Sequence, residues 1–99
     1  MSYTFITHTP GSSMKDYRAV QEAMGPGEIE GHLLSIAGDA DGVLHTVDIW
    51  DSKESADRFT AERLFPVFEK LGYSPGPDAT HIGFEDADVV ITRALDAAR

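Results

Sequence analysis

The chain contains no cysteine. This absence excludes disulfide bonds, thiolate metal ligands and a cysteine nucleophile, so the fold must rely on its hydrophobic core or on an oligomer interface. The apolar runs are only a few residues long, which is too short to cross a bilayer. Basic residues are also scarce, because 8 Lys and Arg stand against 17 Asp and Glu and give a formal net charge of −9.

The acidic balance argues against polyanionic partners. Nucleic acids and anionic lipids attract clustered Lys and Arg, whereas the few bases here are scattered along the chain. We therefore expect no nucleic-acid partner and no membrane partner. The start Met1-Ser2-Tyr3-Thr4 shows neither the basic nor the apolar region of an export signal, so we expect a cytoplasmic protein.

The composition predicts one globular domain over residues 1–99, because 41% hydrophobic residues in so short a chain support a single core. Segments rich in β-branched and aromatic residues predict strands at 3–9, 29–37, 43–50 and 80–85, with a further extended piece at 89–92. Helical spacing predicts a first helix capped by Ser13 and ended by 25–27. A second helix runs from Asp51 or Ser52 to about Lys70, with a kink or a fresh first turn at Pro66.

The predicted order β-α-β-β-α-β indicates an α+β, ferredoxin-like fold. Its two βαβ halves, joined by a hairpin, form a four-stranded antiparallel sheet with both helices on one face. Two helices cover only one face, so the other must meet water or a second sheet. We expect a homodimer in which the two sheets close into an α/β barrel.

The hairpin pattern sorts side chains into two faces. A hairpin loop with an even number of residues places Ala37 opposite Leu44, and the mixed polar and apolar face then contains Leu33, Ser35, Thr46, Asp48 and Trp50. The other face contains His32, Leu34, Ile36, His45, Val47 and Ile49. Because the second set is more uniformly aliphatic, we expect it under the helices. The mixed set then lines a barrel cavity, where a few polar groups orient an apolar guest.

Two residues of this wall are candidates for catalysis. Asp48, beside Leu33 and Trp50, becomes a proton acceptor if it is shielded from water, because desolvation favours its protonated form. The alternatives are an ion pair with an arginine or exposure to solvent, and the arginines concerned are Arg18, Arg58 and Arg63. Trp50 ends its strand at the expected cavity mouth, and the alternative is that it packs in the dimer interface.

The four histidines fall one to each predicted strand. Imidazole is a common metal ligand, but the face assignment places His32 and His45 under the helices and some distance apart along the hairpin, so we expect no metal site. His8 and His81 reach the cavity if their strands have the right phase, and we treat them as candidate ligand-binding residues together with Leu33, Ser35 and Thr46. Phe59 is a further candidate, although its position in the helix favours a role in the core or in a lid.

The chain resembles a known group of proteins over nearly its whole length. The residues that carry the resemblance are Gly31-His32-Leu33-Leu34, Gly38-Asp39-Ala40-Asp41-Gly42, Val47-Asp48-Ile49-Trp50-Asp51-Ser52, Phe59, Leu64, Pro66 and Gly72. This pattern is similar to that of the antibiotic-biosynthesis-monooxygenase-like, dimeric α/β-barrel proteins. The resemblance implies a cofactor-independent monooxygenase that binds a small aromatic or apolar molecule. A non-catalytic small-ligand binder or structural dimer is the alternative, and a haem-handling protein a third.

Two family features compare directly with this sequence. In the quinone-forming oxygenases of the group, an Asn and a Trp stand four apart on the third strand; here Trp50 matches the Trp, but Thr46 stands where the Asn would be. Haem-degrading members carry an iron-binding His late in the second helix, where this chain reads Phe-Pro-Val-Phe-Glu-Lys over 65–70. The resemblance therefore implies neither haem nor another cofactor.

Overall fold

The computed structural model describes residues 2–74 and 76–90. Its elements are β1 Tyr3–Pro10, α1 Met14–Met24, β2 His32–Ala40, β3 Val43–Trp50, α2 Lys53–Phe59, a π-helical turn Thr60–Leu64, α3 Phe65–Leu71 and β4 Thr80–Glu85. The extended piece predicted at 89–92 is not a strand over Val89 and Val90, and Ile91 and Thr92 lie outside the described residues. Across the described part of the chain, no helix has the length and apolar character needed to cross a membrane.

The strands form one antiparallel sheet in the order β2-β3-β1-β4. Both helical layers lie on the same face: Tyr17 of α1 reaches Ser35 of β2, and Phe59 of α2 packs against Trp50 of β3. This is the predicted ferredoxin-like α+β fold with its helices on one side. The prediction of fold class and element order is confirmed.

The hairpin between β2 and β3 is tighter than predicted. Strand β2 continues to Ala40, and the turn consists of Asp41 and Gly42, both with positive φ (53° and 77°). Two residues of this conformation form the type I′ turn that suits the right-handed twist of paired strands. The pairing therefore shifts by two residues, so that Ala37 lies opposite Thr46 instead of Leu44. A shift of two leaves each side chain on its own face.

A β-bulge changes the face of the residues at the start of β2. The register breaks between His32 and Leu34, and His32 pairs with Trp50. The prediction that Leu33 lies beside Asp48 is therefore wrong. Leu33 occupies the bulge, and its side chain is exposed. His32, predicted among the aliphatic residues, moves to the face of Asp48 and Trp50 instead.

The predicted assignment of faces to the helices is wrong. The helices cover the mixed face, where Ser35, Asp48 and Trp50 lie, and the aliphatic face is open. The physical reason is that the polar groups of the mixed face find partners within the protomer, so burying them costs little. The aliphatic side chains of the other face need no hydrogen-bond partners from the helices. Ile36 and Ile82 on that face are 56% and 57% exposed.

The second helical layer is interrupted close to Pro66, as predicted. Ser52 caps α2 by accepting a hydrogen bond from the backbone N–H of Ser55 at 3.1 Å. The π-helical turn Thr60–Leu64 then precedes α3, in whose first turn Pro66 lies. Proline has no N–H, and in a continuous α-helix its ring would clash with the carbonyl of residue i−4, whereas the first turn of a helix tolerates it.

Asp16 joins the start of α1 to the loop after α3. Its Oδ2 accepts the backbone N–H of the cap residue Ser13 at 3.0 Å, and its Oδ1 accepts the Tyr73 hydroxyl at 3.0 Å. These hydrogen bonds, that of the Ser13 backbone foremost, lower the pKa of Asp16. The same hydrogen bond raises the pKa of Tyr73, because ionisation would remove the proton that the hydroxyl donates to Asp16.

We expect Asp16→Asn to lower the free energy of unfolding at pH 7 but not in strong acid. A carboxyl with a lowered pKa in the folded state stabilises the fold above the unfolded-state pKa, about 4. That contribution is lost as the pH falls through the folded-state pKa. Urea unfolding of both proteins between pH 7 and pH 2.5 checks this. A stability difference that stays constant over the whole range would contradict it.

Candidate functional site

Four side chains meet on the helix-covered face of the sheet, and we call them the dyad site: His32, Asp48, Trp50 and Phe59. Trp50 is the innermost, with 3% of its surface exposed. It belongs to the small core with Tyr3 and Ala56, against which Phe59 also packs. The ring centroids of Trp50 and Phe59 are 5.1 Å apart. Trp50 is therefore buried within one protomer, so both the prediction that it lies at the mouth of a barrel cavity and the alternative that it packs in a dimer interface are wrong.

The chain path explains how Trp50 is buried. It is the last residue of β3, and α2 begins three residues later at Lys53. This short connection folds α2 back over the strand end, where Ser55 and Ala56 are buried. Phe59, one turn further along α2, is carried onto the indole. The dyad site thus lies between the end of β3 and the inner side of α2.

An acid and a histidine form the polar part of the dyad site. The Nε2 atom of His32 lies 3.0 Å from Oδ1 of Asp48, and their side chains are 19% and 27% exposed. The imidazole stacks on Trp50 with ring centroids 4.4 Å apart and is nearly parallel to Phe59 at 6.5 Å. Asp48 therefore pairs with a histidine rather than with an arginine, the partner considered from the sequence.

The other polar residues predicted for the site are bonded to protein groups. The hydroxyl of Ser35 lies 3.0 Å from that of Tyr17, which also accepts a hydrogen bond from Gln21 Nε2 at 2.7 Å. The hydroxyl of Thr46 contacts that of Thr7 on the neighbouring strand. Both residues lie on the helix-covered face, on the same side of the sheet as Asp48. They hold the sheet and α1 together beside the dyad site.

The two remaining predicted histidines lie on opposite faces of the sheet. His81 of β4 packs against Phe5, with ring centroids 5.3 Å apart, on the helix-covered face. His8 lies on the open face, edge-on to His45 at 4.9 Å, so it does not reach the dyad site. Within residues 2–74 and 76–90, no group of three or more His, Cys, Asp and Glu is placed to hold a metal ion.

A groove of about 130 Å³ opens beside the dyad site. It is lined by Ile29, Glu30, Ser55, Arg58, Phe59, Glu62 and Arg63. Arg58 spans one side, 3.1 Å from Glu54 and 3.6 Å from Glu30. Phe59 both lines the groove and packs on Trp50, so its ring separates the groove from the indole. The π-helical turn supplies Glu62 and Arg63, and such turns are frequent at functional sites.

Sequence reasoning missed His32 because period-2 alternation places it on the other face. One signal was available: Gly31 immediately precedes it, and a glycine at the start of a strand often marks a bulge or a close backbone approach. Both apply here, since Gly31 has φ 81° and its carbonyl accepts the backbone N–H of Asp51 at 2.8 Å.

Comparison with known proteins identifies the fold. No family model and no curated protein sequence matches the chain. Among solved structures, the Rv0793 protein of Mycobacterium tuberculosis superposes with a TM-score of 0.67 at 12% identity, covering 92% of this chain and 100% of its own. SnoaB of Streptomyces nogalater, a cofactor-independent oxygenase, superposes with a TM-score of 0.62 at 13% identity, covering 90% and 96%.

A third structure is the monooxygenase ActVA-Orf6 of Streptomyces coelicolor in complex with the ligand nanaomycin D. It has a TM-score of 0.62 and 15% identity and covers 93% of each chain. This chain has the antibiotic biosynthesis monooxygenase fold. The proteins that share the fold include a cofactor-independent oxygenase and a monooxygenase, and the resemblance read from the sequence is confirmed for the fold. At such low identity, the antibiotic biosynthesis monooxygenase fold alone fixes no substrate.

Proposed function

We propose that the chain is a cofactor-independent oxygenase that binds a small aromatic molecule at the dyad site. The observation that supports this most directly is the buried indole of Trp50, which packs against His32 and Phe59 with the Asp48 carboxylate beside them. Without a metal or flavin, the substrate itself must give electrons to O₂, which an electron-rich aromatic anion does. The site combines aromatic surface for a planar ring with groups that take up a proton.

The proposed site uses a different polar group from the Asn expected in the quinone-forming oxygenases. Thr46 stands at that position, and its hydroxyl is occupied by Thr7. Asp48 lies two residues beyond Thr46 on the same face of β3, between Thr46 and Trp50, and presents a carboxylate there. We therefore place Asp48 and Trp50 in the reaction site, with Phe59 as the side chain that must move to admit a ligand from the groove.

We further propose that two copies associate through the open face of the sheet. Its exposed apolar side chains include Ile36 (56%), Ile82 (57%) and Phe84 (44%). The strand residues on this face include no Asp, Glu, Lys or Arg, although the chain carries a net charge of −9. Two acidic copies of the chain repel each other least when they associate through surfaces without charged residues. The uncharged, apolar open face can therefore pack against the same face of a second copy. The predicted barrel then has the aliphatic face inside.

Oxygen uptake with anthrone- or hydroquinone-type substrates tests the proposed reaction. We expect Trp50→Phe to lower kcat/KM about 10-fold or more, because it removes part of the aromatic wall against which the substrate ring packs. The control is Phe65→Leu on α3, where the ring is 57% exposed and outside the dyad site. Full activity of Trp50→Phe, with the control also active, would contradict the site.

A non-catalytic ligand-binding role is the second candidate, and it is favoured by Thr46, which stands at the Asn position of the quinone-forming oxygenases and is bonded to Thr7. The groove of about 130 Å³ is smaller than the roughly 300–1,000 Å³ typical of small-molecule pockets, so Phe59 must move to admit an aromatic ligand in either role. A binder of this kind would show thermal stabilisation by an aromatic ligand, without oxygen uptake or turnover.

A further inference from the structure

We propose that His32 is the proton acceptor of the dyad site and that Asp48 positions it. The substrate class is then an aromatic compound with an acidic proton, either a phenolic or enolic O–H or a C–H activated by a neighbouring carbonyl. The inference rests on the proposed function for its substrate, but it concerns a residue other than the Asn and Trp positions compared above, which the bulge in β2 brings into the site.

The hydrogen bond to Asp48 determines which ring nitrogen of His32 carries the proton and which one can accept a proton. With Nε2 of the imidazole 3.0 Å from the carboxylate Oδ1, the neutral ring keeps its proton on Nε2 and donates it to Asp48. A neutral imidazole has one donor and one acceptor nitrogen, so Nδ1 carries the free lone pair. A carboxylate that orients an imidazole in this way also stabilises the imidazolium formed when the ring accepts a proton.

The second ring nitrogen has no partner among the described residues. Nδ1 of His32 makes no hydrogen bond with them, and none of their buried side-chain nitrogens or oxygens lacks a partner. Nδ1 is therefore not fully enclosed, in agreement with a His32 side chain that is 19% exposed. Stacking on Trp50 at 4.4 Å fixes the plane of the ring, so the lone pair keeps one direction.

The proposed step transfers one proton. The O–H or C–H bond of the substrate breaks, its electron pair stays on the substrate as an enolate or phenolate, and the proton binds Nδ1 of His32. The resulting imidazolium is paired with the Asp48 carboxylate and lies over the face of Trp50, where a cation is attracted by the ring. The proton leaves again to water or product, which restores the neutral dyad.

The first test measures this proton transfer in the absence of oxygen. Anthrone in D₂O exchanges its acidic C–H for deuterium when a base removes the proton, and NMR follows the exchange anaerobically. We expect the protein to accelerate exchange and His32→Gln to reduce the acceleration about 100-fold, a typical contribution of a general base. His45→Gln, the same change on the open face, is the control and should alter exchange less than twofold. Equal rates for wild type and His32→Gln would overturn the proposal.

A second measurement keeps the proposal testable whether or not a substrate turns over. Long-range ¹H–¹⁵N NMR spectra identify the protonated ring nitrogen, and we expect the Nε2–H tautomer of His32 in the wild type. Asp48→Asn should mix the tautomers and slow the exchange about 10-fold, the lower end of what positioning supplies. An Nδ1–H tautomer in the wild type would overturn the assignment. Exchange without oxygen uptake would refute the oxygenase function and leave the proton acceptor standing.

Discussion

Gly31→Ala will destabilise the protein by about 2–4 kcal/mol, through a positive φ that disfavours any side chain and through overpacking. Gly31 has φ 81°, and a Cβ built there would lie 2.5 Å from Ser55 Oγ, 2.6 Å from Ser55 Cβ and 2.7 Å from Asp51 Oδ1. Ser55 is buried at the start of α2, so its Cβ moves only if the helix moves. A loss of this size lowers the Tm of a 99-residue domain by about 10–25 °C.

Gly38→Ala is the matched control for this substitution. Gly38 lies within β2, the strand that Gly31 precedes; it has no positive φ, and a Cβ there would meet nothing within 4 Å. We expect its stability to stay within about 0.5 kcal/mol of the wild type, as for a surface position. Urea unfolding of the three proteins measures the difference. If Gly31→Ala and Gly38→Ala unfold alike, the contact between Gly31 and α2 does not support the site.

Gly31 affects the geometry of the dyad site as well as the stability of the fold. The residue after it, His32, enters the helix-covered face through the bulge, and α2 carries Phe59 onto Trp50. A Cβ at position 31 that displaces the start of α2 would therefore also displace Phe59 from its place in the dyad site. The backbone N–H of Asp51 is bonded to the Gly31 carbonyl at 2.8 Å, so the end of β3 is held by the same residue.

The element pattern was predictable because local chemistry determines it. Strands β3 and β4 have the predicted bounds, the caps Ser13 and Ser52 act at the predicted helix starts, and Pro66 lies in the first turn of α3. Each of these depends on residues adjacent in sequence. Side-chain periodicity, cap hydrogen bonds and the missing N–H of proline operate within one or two turns, so a single sequence reveals them.

The assignment of the two sheet faces and the membership of the dyad site depended on tertiary contacts, which the periodicity of the sequence does not reveal. The Asp41–Gly42 turn shifted the register by two residues, and the bulge at Leu33 moved His32 across the sheet. The choice of the face under the helices rested on hydrophobicity alone, which disregarded that Ser35 finds Tyr17 and Asp48 finds His32. A polar side chain with a partner is cheap to bury, and the partners became visible only in three dimensions.

Substituting the open face with acids will convert the proposed dimer into a monomer. We expect Ile36→Glu with Ile82→Glu to weaken self-association about 100-fold or more, because like charges that face each other in an interface cost several kcal/mol. Both side chains are more than half exposed in the single chain, so the protomer should keep its fold. Phe65→Glu is the control: this ring is as exposed as Ile82 but lies on α3, behind the sheet. Sedimentation velocity at micromolar concentration reads the result, and a folded wild-type monomer there would remove the barrel from the proposal while leaving the dyad site, which one protomer forms alone.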